Sequence, residues 1–292
     1  MTKLSRRAFL SAVAATSGYA TWALHSSPAH AYQVTLLPAS PQLGDTISVF
    51  IATESAAGND APVVSVGGSQ YPSFRLSGSR FRAFIPTNPL EAAGTRTIQI
   101  TQGGVTQSRS VTIRDRSFRT QYITLPAGSS DLSNDHEFDS VAEIKRILTT
   151  ARRGQGYLVR PSSGYVSTEF GVQRYYNGVY ADDYYHRGVD YAAATGSPIV
   201  APAAGYIRLV GRVRDGFEIH GNTVGIDHGQ GVLSIMIHMH RIDVQEGEFV
   251  AAGQTVGGVG STGASTGPHL HWGLYVNGIA VDPVPWRFDG VE

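Results

Sequence analysis

The sequence predicts a mainly β protein with an N-terminal immunoglobulin-like β-sandwich, a short helical connector and a C-terminal antiparallel β-sheet domain. The first observation is a series of short runs in which apolar and polar residues alternate, separated by Gly, Pro, Ser and Asn. The second is the Asn277-Gly278 pair, which favours a two-residue hairpin turn between antiparallel strands. A chain of 292 residues is also long enough for two modest domains, each with its own core.

Composition argues against several functional classes. The formal net charge is zero, and without the first 31 residues 20 basic side chains face 23 acidic ones, which argues against nucleic-acid binding. No apolar run is long enough to predict a membrane span or anchor. The sequence has no cysteine, which rules out disulfides, thiolate metal ligands and a cysteine nucleophile. Any bound metal is therefore held by histidine and carboxylate side chains.

Residues 1–31 are predicted to be an export signal. Arg6 and Arg7 precede a weakly apolar stretch, and Ala29-His30-Ala31 fits a small-residue cleavage site, so the mature chain is expected to begin at Tyr32. The paired arginines followed by Phe and Leu resemble a twin-arginine signal, which exports folded proteins; an ordinary secretory signal is the alternative. Either signal predicts an exported protein that works in the periplasm, in the cell wall or outside the cell.

Residues 32–116 are predicted to form the β-sandwich. Apolar residues recur there at every second position, as expected for strands that turn one face to a core. These positions are Ile47, Val49 and Ile51; Phe81, Ala83 and Ile85; Ile98 and Ile100; and Val111 and Ile113. The segment contains no histidine. We therefore expect it to position or shield its neighbour rather than to carry the chemistry.

Residues 117–155 are predicted to be a connector with one short helix. Ser140 and Glu143 have the spacing of a capping box, in which each side chain accepts from a free N–H group at the start of a helix. Apolar residues at helical spacing would then share one face, and these are Val141, Ile144 and Leu148. The helix is expected to dock between the two domains.

Residues 156–292 are predicted to form the C-terminal β domain, where the chemistry concentrates. Seven of the eight histidines after residue 31 lie in it, at positions 186, 220, 228, 238, 240, 269 and 271. His186 and Asp190 are four residues apart, which in an extended chain puts both on one face, with Gly188 between them leaving room for an ion. Both side chains can bind one metal; the alternative is a surface His and Asp on a glycine-containing turn.

A second histidine pair lies in residues 267–276. Read as a strand, this segment sends His269 and His271 to one side and its apolar residues to the other. The apolar residues, which would pack in a core, are Leu270, Trp272, Leu274 and Val276. The histidines would then line a cleft.

A third segment, residues 233–240, is predicted to repeat this arrangement. His238 and His240 are expected on its polar face. The residues expected to face the core are Leu233, Ile235, Ile237 and Met239. Two strands that both present histidines are hard to explain by stability alone, because clustered imidazoles need a shared ligand or a chemical role.

These segments, in this order, resemble the lysostaphin-type zinc metallopeptidases, a family of glycyl-glycine and D,D-endopeptidases that cut peptidoglycan cross-links. The similarity extends from about residue 161 to about residue 286 and rests on several separate motifs. They are Ser167-Thr168-Glu169-Phe170-Gly171, His186-Arg187-Gly188-Val189-Asp190, Pro198-Ile199-Val200-Ala201-Pro202, Gly221-Asn222-Thr223-Val224, and Gly258–Gly263 leading into Ser265–His271. A β-sandwich ahead of such a peptidase also resembles exported bacterial members of the family.

The resemblance implies a zinc site with two further histidines beside it. His186, Asp190 and His271 would bind one Zn²⁺ per chain and leave an open position for water. His238 and His269 would be non-ligand residues, one taking a proton from the zinc-activated water and one stabilising the oxyanion or protonating the leaving amine. The sequence lacks HExxH, so the glutamate base of that zinc-protease class is not expected.

The sequence departs from the family pattern in the third segment. Met236 stands where many members have Tyr, and His240 stands where Ser is common. His240 is expected at the surface or on the substrate side, about 7 Å along the strand from His238. His220 and His228 fall in predicted turns and receive no role.

The implied function is zinc-dependent hydrolysis of the peptide cross-links of peptidoglycan, with its stem peptides as substrate. One alternative is a catalytically silent wall-binding or amidase-activating protein of the same fold, which would be expected to have lost metal ligands. A second is a structural zinc domain, for which His240 would be the fourth ligand. No motif identifies a regulatory partner, and the bond that is cleaved depends on the shape of the cleft.

Overall fold

The fold is mainly β. The computed structural model describes residues 32–53, 61–124, 135–153 and 156–288. The predicted export signal at residues 1–31 lies outside these ranges. Within them there is one α-helix, α1 (Asp135–Lys145), and no helix is long and apolar enough to cross a membrane. The prediction of a mainly β protein built from antiparallel sheets is confirmed.

The first part of the chain is a pair of four-stranded antiparallel sheets. Its strands are β1 (Gln33–Leu37), β2 (Thr46–Ala52), β3 (Val63–Val66), β4 (Ser69–Tyr71), β5 (Ser73–Ser77), β6 (Arg80–Pro86), β7 (Gly94–Gln102) and β8 (Val105–Ile113). One sheet has the order β1-β2-β6-β5 and the other β4-β3-β7-β8. The alternating apolar residues of both sheets lie in one buried cluster, so the predicted core positions of this part are confirmed.

The connector contains α1, but the helix begins earlier than predicted. Ser140 lies in its second turn rather than at its N-terminus, and its hydroxyl donates to the carbonyl of His136 at 2.8 Å. The predicted capping box is therefore wrong, because a Ser hydroxyl inside a helix bonds the preceding turn instead. Val141 and Ile144 are buried as predicted, whereas Leu148 lies beyond the end of the helix and is exposed.

The C-terminal part is organised around one large antiparallel sheet. Its strands are β10 (Tyr165–Thr168), β13 (Val189–Ala192), β15 (Gly205–Gly211), β16 (Asn222–Gly229), β17 (Val232–Met239), β19 (Phe249–Val250), β21 (His269–Val276) and β22 (Ile279–Val281). The order is β10-β13-β21-β17-β16-β15-β19, with β22 paired to β21. β13, β21 and β17 are therefore neighbours, and four of the five predicted site residues fall on them, with His186 just before β13. The predicted boundaries at residues 116 and 155 stay predictions.

Two three-stranded sheets flank the large one. Their strands are β9 (Thr120–Ile123), β11 (Gln173–Tyr176), β12 (Val179–Tyr180), β14 (Pro198–Val200), β18 (Arg241–Ile242) and β20 (Thr255–Gly258). The orders are β12-β11-β9 and β14-β20-β18. β9 comes from the connector and pairs in parallel with β11. The connector thus adds a strand to the C-terminal part, which no local pattern in the sequence predicts.

The Asn277-Gly278 pair forms the predicted hairpin turn between β21 and β22. Both residues have positive φ, 48° for Asn277 and 83° for Gly278. This is the backbone of the tight turn that matches the twist of two antiparallel strands, and Asn and Gly tolerate it best. The turn also joins the two parts of the chain, because the Asn277 amide donates to the carbonyl of Phe84 at 2.8 Å.

Candidate metal centre and active site

The pairing of β13 with β21 brings Asp190 and His271 together. The two residues are direct cross-strand partners, so their side chains lie on the same face of the sheet. His186 lies just before β13, where its backbone exchanges hydrogen bonds with Gly171 and Val172. These bonds tie the segment that carries His186 to the loop that follows β10, and the His186 ring lies against the side chains of Asp190 and His271.

The ligand atoms of these three residues form a close triangle. His186 Nε2 lies 3.1 Å from Asp190 Oδ1 and 3.0 Å from His271 Nδ1, and His271 Nδ1 lies 2.9 Å from Asp190 Oδ1. In the described part of the chain this is a group of three His, Asp, Glu or Cys residues with ligand atoms close enough for one ion. Atoms about 2.1 Å from a tetrahedral Zn²⁺ would lie about 3.4 Å apart, so the triangle needs only slight expansion.

The hydrogen bonds around His186 fit a metal ligand. Its Nδ1–H donates to the carbonyl of Glu169 at 2.8 Å, which leaves Nε2 without a proton in the neutral ring. An outer carbonyl that fixes the tautomer in this way is typical of histidines that bind metal. The Nε2 lone pair therefore faces an oxygen and a second imidazole nitrogen, and a cation would satisfy all three. Two imidazoles and one carboxylate suit Zn²⁺.

The electrostatics of Asp190 suit the same role. Burial raises the pKa of its carboxyl, but hydrogen bonds from the imidazoles of His186 and His271, when these rings carry a proton toward Oδ1, outweigh burial and hold that pKa below its ordinary range. Asp190 is therefore ionised at neutral pH. An ionised carboxylate is the form that binds a metal ion.

Gly188 lies directly against β21. A Cβ at this position would lie 2.4 Å from the carbonyl oxygen of Trp272 and 2.8 Å from Nε2 of His271. Glycine is therefore required because the chain passes directly against β21, and the predicted room for an ion beside it stays a prediction. The effect on the site is indirect: close contact with β21 sets the distance between His186 and His271.

His269 lies at the start of β21, beside the triangle. Its Nδ1–H donates to the carbonyl of Gly267 at 2.8 Å. The other ring nitrogen, Nε2, lies 3.9 Å from Asp190 Oδ1. The ring therefore presents an unprotonated nitrogen to the centre in its neutral form, at a distance beyond a hydrogen bond from the carboxylate.

His238 reaches the site through a β-bulge. Ile237 is the cross-strand partner of His271, so regular alternation would send the next side chain to the opposite face. Met236 and Met239 are three residues apart on β17, but their partners on β16, Val224 and Asn222, are only two residues apart. The extra residue of β17 forms the bulge. His238 has φ 63°, a left-handed conformation that is rare outside glycine, and its ring lies 4.8 Å from that of His269, centroid to centroid.

Leu233, Ile235 and Met239 are buried in the core as predicted and Ile237 packs against it, but the predicted separation of these residues from His238 by regular alternation is wrong. Ile237, predicted to face the core, shares a face with His271, and Met236 pairs with Trp272 on the other face. Both faces of this strand are covered, since Ser234 and Met236 are fully buried as well. The presence of His238 at the site agrees with the sequence analysis, but it results from the bulge rather than from alternation.

The His238 ring is held like those of His186 and His269. Its Nδ1–H donates to the carbonyl of Thr262 at 2.9 Å, which leaves Nε2 free. Burial, followed by the charge of His271, lowers the pKa of His238 to about 3. The ring is therefore neutral at neutral pH, with Nε2 as its unprotonated nitrogen. Sequence analysis missed this role of Thr262, because a backbone carbonyl leaves no signal in residue type.

The remaining histidines lie elsewhere. His240 is exposed and is not part of the ligand triangle. His228 is buried, with Nδ1–H donating to the carbonyl of Ala204 and Nε2 accepting from Ser234. His220 contacts the carboxylate of Glu137, a residue of α1 that sequence analysis did not single out.

Two imidazoles and a carboxylate meet at one point of the β-sheet domain, and two more imidazoles lie beside them. This is the arrangement expected of a metallopeptidase. Residues 184–283 match the family model described as peptidase family M23, and the C-terminal part of the chain belongs to that family. The match includes all five predicted site residues. The resemblance stated from the motifs is confirmed at the level of the family.

Two curated relatives share this region. The first is the DD-carboxypeptidase/endopeptidase Mpg of Neisseria meningitidis serogroup B, 46% identical over 99 residues, which are 34% of this chain and 22% of that protein. The second is the peptidoglycan DD-endopeptidase ShyC of Vibrio cholerae, 41% identical over 98 residues, again 34% of this chain and 22% of that protein. The chain thus spans about a fifth of the length of these relatives.

One solved structure is similar over nearly the whole described chain. It is a crystal structure of a Pseudomonas aeruginosa protein assigned to peptidase family M23, with 25% sequence identity and a TM-score of 0.62. The similarity covers 85% of this chain and 94% of that one. It extends well beyond the residues that match the family model, so the fold is shared outside the peptidase domain too.

Proposed function

We propose that the protein is a zinc-dependent endopeptidase that hydrolyses the peptide cross-links of bacterial peptidoglycan. His186 Nε2, Asp190 Oδ1 and His271 Nδ1 bind one Zn²⁺ per chain. One observation carries the proposal: the rings of His238 and His269 lie together beside this triangle, with Nδ1–H of each donated to a backbone carbonyl. A site that only binds metal has no need of two further oriented imidazoles.

The chemistry divides between the ion and the two non-ligand histidines. When bound, Zn²⁺ supplies a Lewis acid that makes a water molecule a stronger nucleophile at neutral pH. His238 and His269 each keep Nε2 unprotonated in the neutral ring, so either can accept the proton of the attacking water. The other, once protonated, can donate to the oxyanion or to the leaving amine. Asp190 stays ionised throughout and fixes the positions of both ligand imidazoles.

The substrate is proposed from the family. The curated relatives have names that describe peptidases acting on D,D bonds, and one name specifies peptidoglycan. We infer that this chain acts on stem peptides of peptidoglycan, and that it does so outside the cytoplasm, in the periplasm or the cell wall. The predicted export signal agrees with that location.

The alternatives make different demands on the site. A silent wall-binding protein has no need of the full set of five residues, yet all five are present and converge. A structural zinc domain needs a fourth protein ligand, and His240 is exposed and apart from the ligand triangle. Both observations favour the enzyme.

The test combines metal analysis with a zymogram on purified cell walls. The purified chain should contain one zinc per molecule and clear the walls, and a chelator should abolish clearing until zinc is added back. A protein that binds zinc at an accessible site and leaves the walls intact would support the silent alternative. Clearing that persists after complete removal of metal would contradict the zinc-dependent mechanism.

A further inference from the structure

We propose that Glu137, on the connector helix α1, is a positioning residue for His238. It lies outside the residues that match the family model, and it acts through the backbone of residues 219–220. The proposal rests on the proposed function, because the position of the His238 ring affects turnover only if that ring moves a proton.

Glu137 is a fully buried carboxylate with three N–H donors directed at it. Oε2 accepts from the backbone N–H of Ile219 at 2.9 Å. Oε1 accepts from the backbone N–H of His220 and from Nδ1 of the same residue. A buried carboxylate is costly unless donors satisfy it, and these three donors come from one short loop. The helix therefore holds this loop through the Glu137 carboxylate, beside a ring contact between Phe138 and His220.

The loop of residues 219–220 is hydrogen-bonded to the backbone of His238. The carbonyl of His220 accepts from the N–H of His238 at 2.9 Å. This bond forms at the bulge, where His238 has φ 63° and the pairing of β16 with β17 is interrupted. A left-handed conformation at a non-glycine residue persists only when surrounding contacts impose it. The bond from His220 is one such contact, and Glu137 fixes the group that accepts it.

The same loop also supports the group that orients the His238 ring. The carbonyl of Ile219 accepts from the N–H of Ala264 at 2.8 Å. The loop that contains Ala264 also contains Thr262, whose carbonyl accepts from Nδ1 of His238. A Cβ at Gly221 would lie 2.5 Å from Thr262, so the two loops are in direct contact. Residues 219–221 therefore support both the backbone of His238 and the loop whose carbonyl orients its ring.

The chemistry of the contact requires a carboxylate rather than an amide. Glutamine at residue 137 would offer one acceptor oxygen, and its NH₂ group would face an N–H donor of the loop. Without the matching acceptor, the loop of residues 219–220 would shift and the His238 ring would move with it. A shift of about 1 Å in a catalytic group can cost about 100-fold in rate. Glu143, an exposed residue of the same helix, offers a matched control.

The experiment compares Glu137→Gln with Glu143→Gln in the zinc-loaded full chain. We expect Glu137→Gln to retain zinc and a cooperative thermal transition, and to lower kcat by about 10- to 100-fold with KM nearly unchanged. In ¹⁵N-histidine-labelled protein, the ring signals of His238 should shift while those of His186 and His271 stay in place. Glu143→Gln should behave as the unmodified protein in every measurement.

Unshifted His238 signals and an unchanged kcat in folded Glu137→Gln would overturn the proposal. If that variant does not fold, Glu137→Asp is used instead. It keeps the negative charge, but its side chain is one methylene shorter, so its oxygens lie farther from the N–H donors of the loop. Wild-type His238 signals in folded Glu137→Asp would equally overturn it, and shifted signals would support it. The NMR measurement needs no turnover, so absence of wall cleavage by the unmodified protein would defeat the proposed function without deciding this question.

Discussion

The rings of His238 and His269 lie 4.8 Å apart, centroid to centroid, and are inclined by 50°. Each donates Nδ1–H to a backbone carbonyl, that of Thr262 for His238 and that of Gly267 for His269. The free Nε2 atoms are therefore fixed by two backbone carbonyls of one loop, the loop between β20 and β21. This arrangement is the observation on which the proposed proton-transfer role of the two histidines rests.

Replacing His238 by Ala should abolish cleavage while zinc stays bound. General acid–base residues typically contribute about 100- to 10,000-fold, so turnover should fall by that much. Zinc content and turnover on cross-linked muropeptides measure the two effects separately. His240→Ala, an exposed change two residues along the chain, should leave both unchanged. Loss of zinc in His238→Ala would mean that His238 is a ligand.

Replacing Asp190 by Ala should remove the metal itself. The buried carboxylate is the only anionic member of the ligand triangle, and without it two imidazoles remain. Zinc affinity should fall by more than about 100-fold, beyond the usual effect of losing an outer hydrogen-bond partner. Competition with a chromogenic chelator measures the affinity, and Asp183→Asn, at an exposed position nearby, is the control. Unchanged affinity in Asp190→Ala would contradict the assignment.

Gly188→Ala should destabilise the protein and weaken zinc binding together. The added methyl group would overlap the carbonyl of Trp272 and approach His271 Nε2. Overpacking of this kind costs about 1–3 kcal/mol, which thermal or denaturant unfolding measures. Gly267→Ala is a control for stability, because a Cβ at that position meets no atom within 4 Å. Equal stability of the two variants would show that β21 can move away at little cost.

The lowered pKa of buried His228 should reduce the free energy of unfolding at acidic pH. Burial lowers its pKa from 6.5 to about 4, so below pH 6.5 the unfolded state takes up a proton that the folded state does not. Stability from this residue is complete above pH 6.5 and declines as the pH falls to about 4, by about 3 kcal/mol. Denaturant unfolding of His228→Asn should show a shallower decline over this range. An equal slope in both proteins would contradict the prediction.

The parts of the fold that local pattern determines could be predicted from the sequence. Alternation identified the buried residues of both sandwich sheets, because each strand there has one covered face. Alternation did not locate His238 correctly on β17. Both faces of that strand are covered, and a bulge changes the face on which the His238 side chain lies. A bulge depends on the pairing of two distant strands, so a single strand read by itself does not reveal it.

The side chains that meet at the candidate site were recognisable in the sequence, but the contacts that orient them were not. The five side chains carry recognisable chemistry at motif spacing, which is why the resemblance located them. The carbonyls of Glu169, Thr262 and Gly267 that fix three of the rings are common to every residue type. Glu137 is remote in sequence from every motif, and only the folded chain brings it to the loop behind His238.

Mass spectrometry of the products released from purified peptidoglycan tests the central claim most directly. The zinc-loaded chain should release muropeptides with newly formed amino and carboxyl termini at a peptide cross-link and with intact glycan bonds. The same incubation with Asp190→Ala should release none. Products cut in the glycan strand, or an unchanged wall in the presence of bound zinc at an accessible site, would contradict the account.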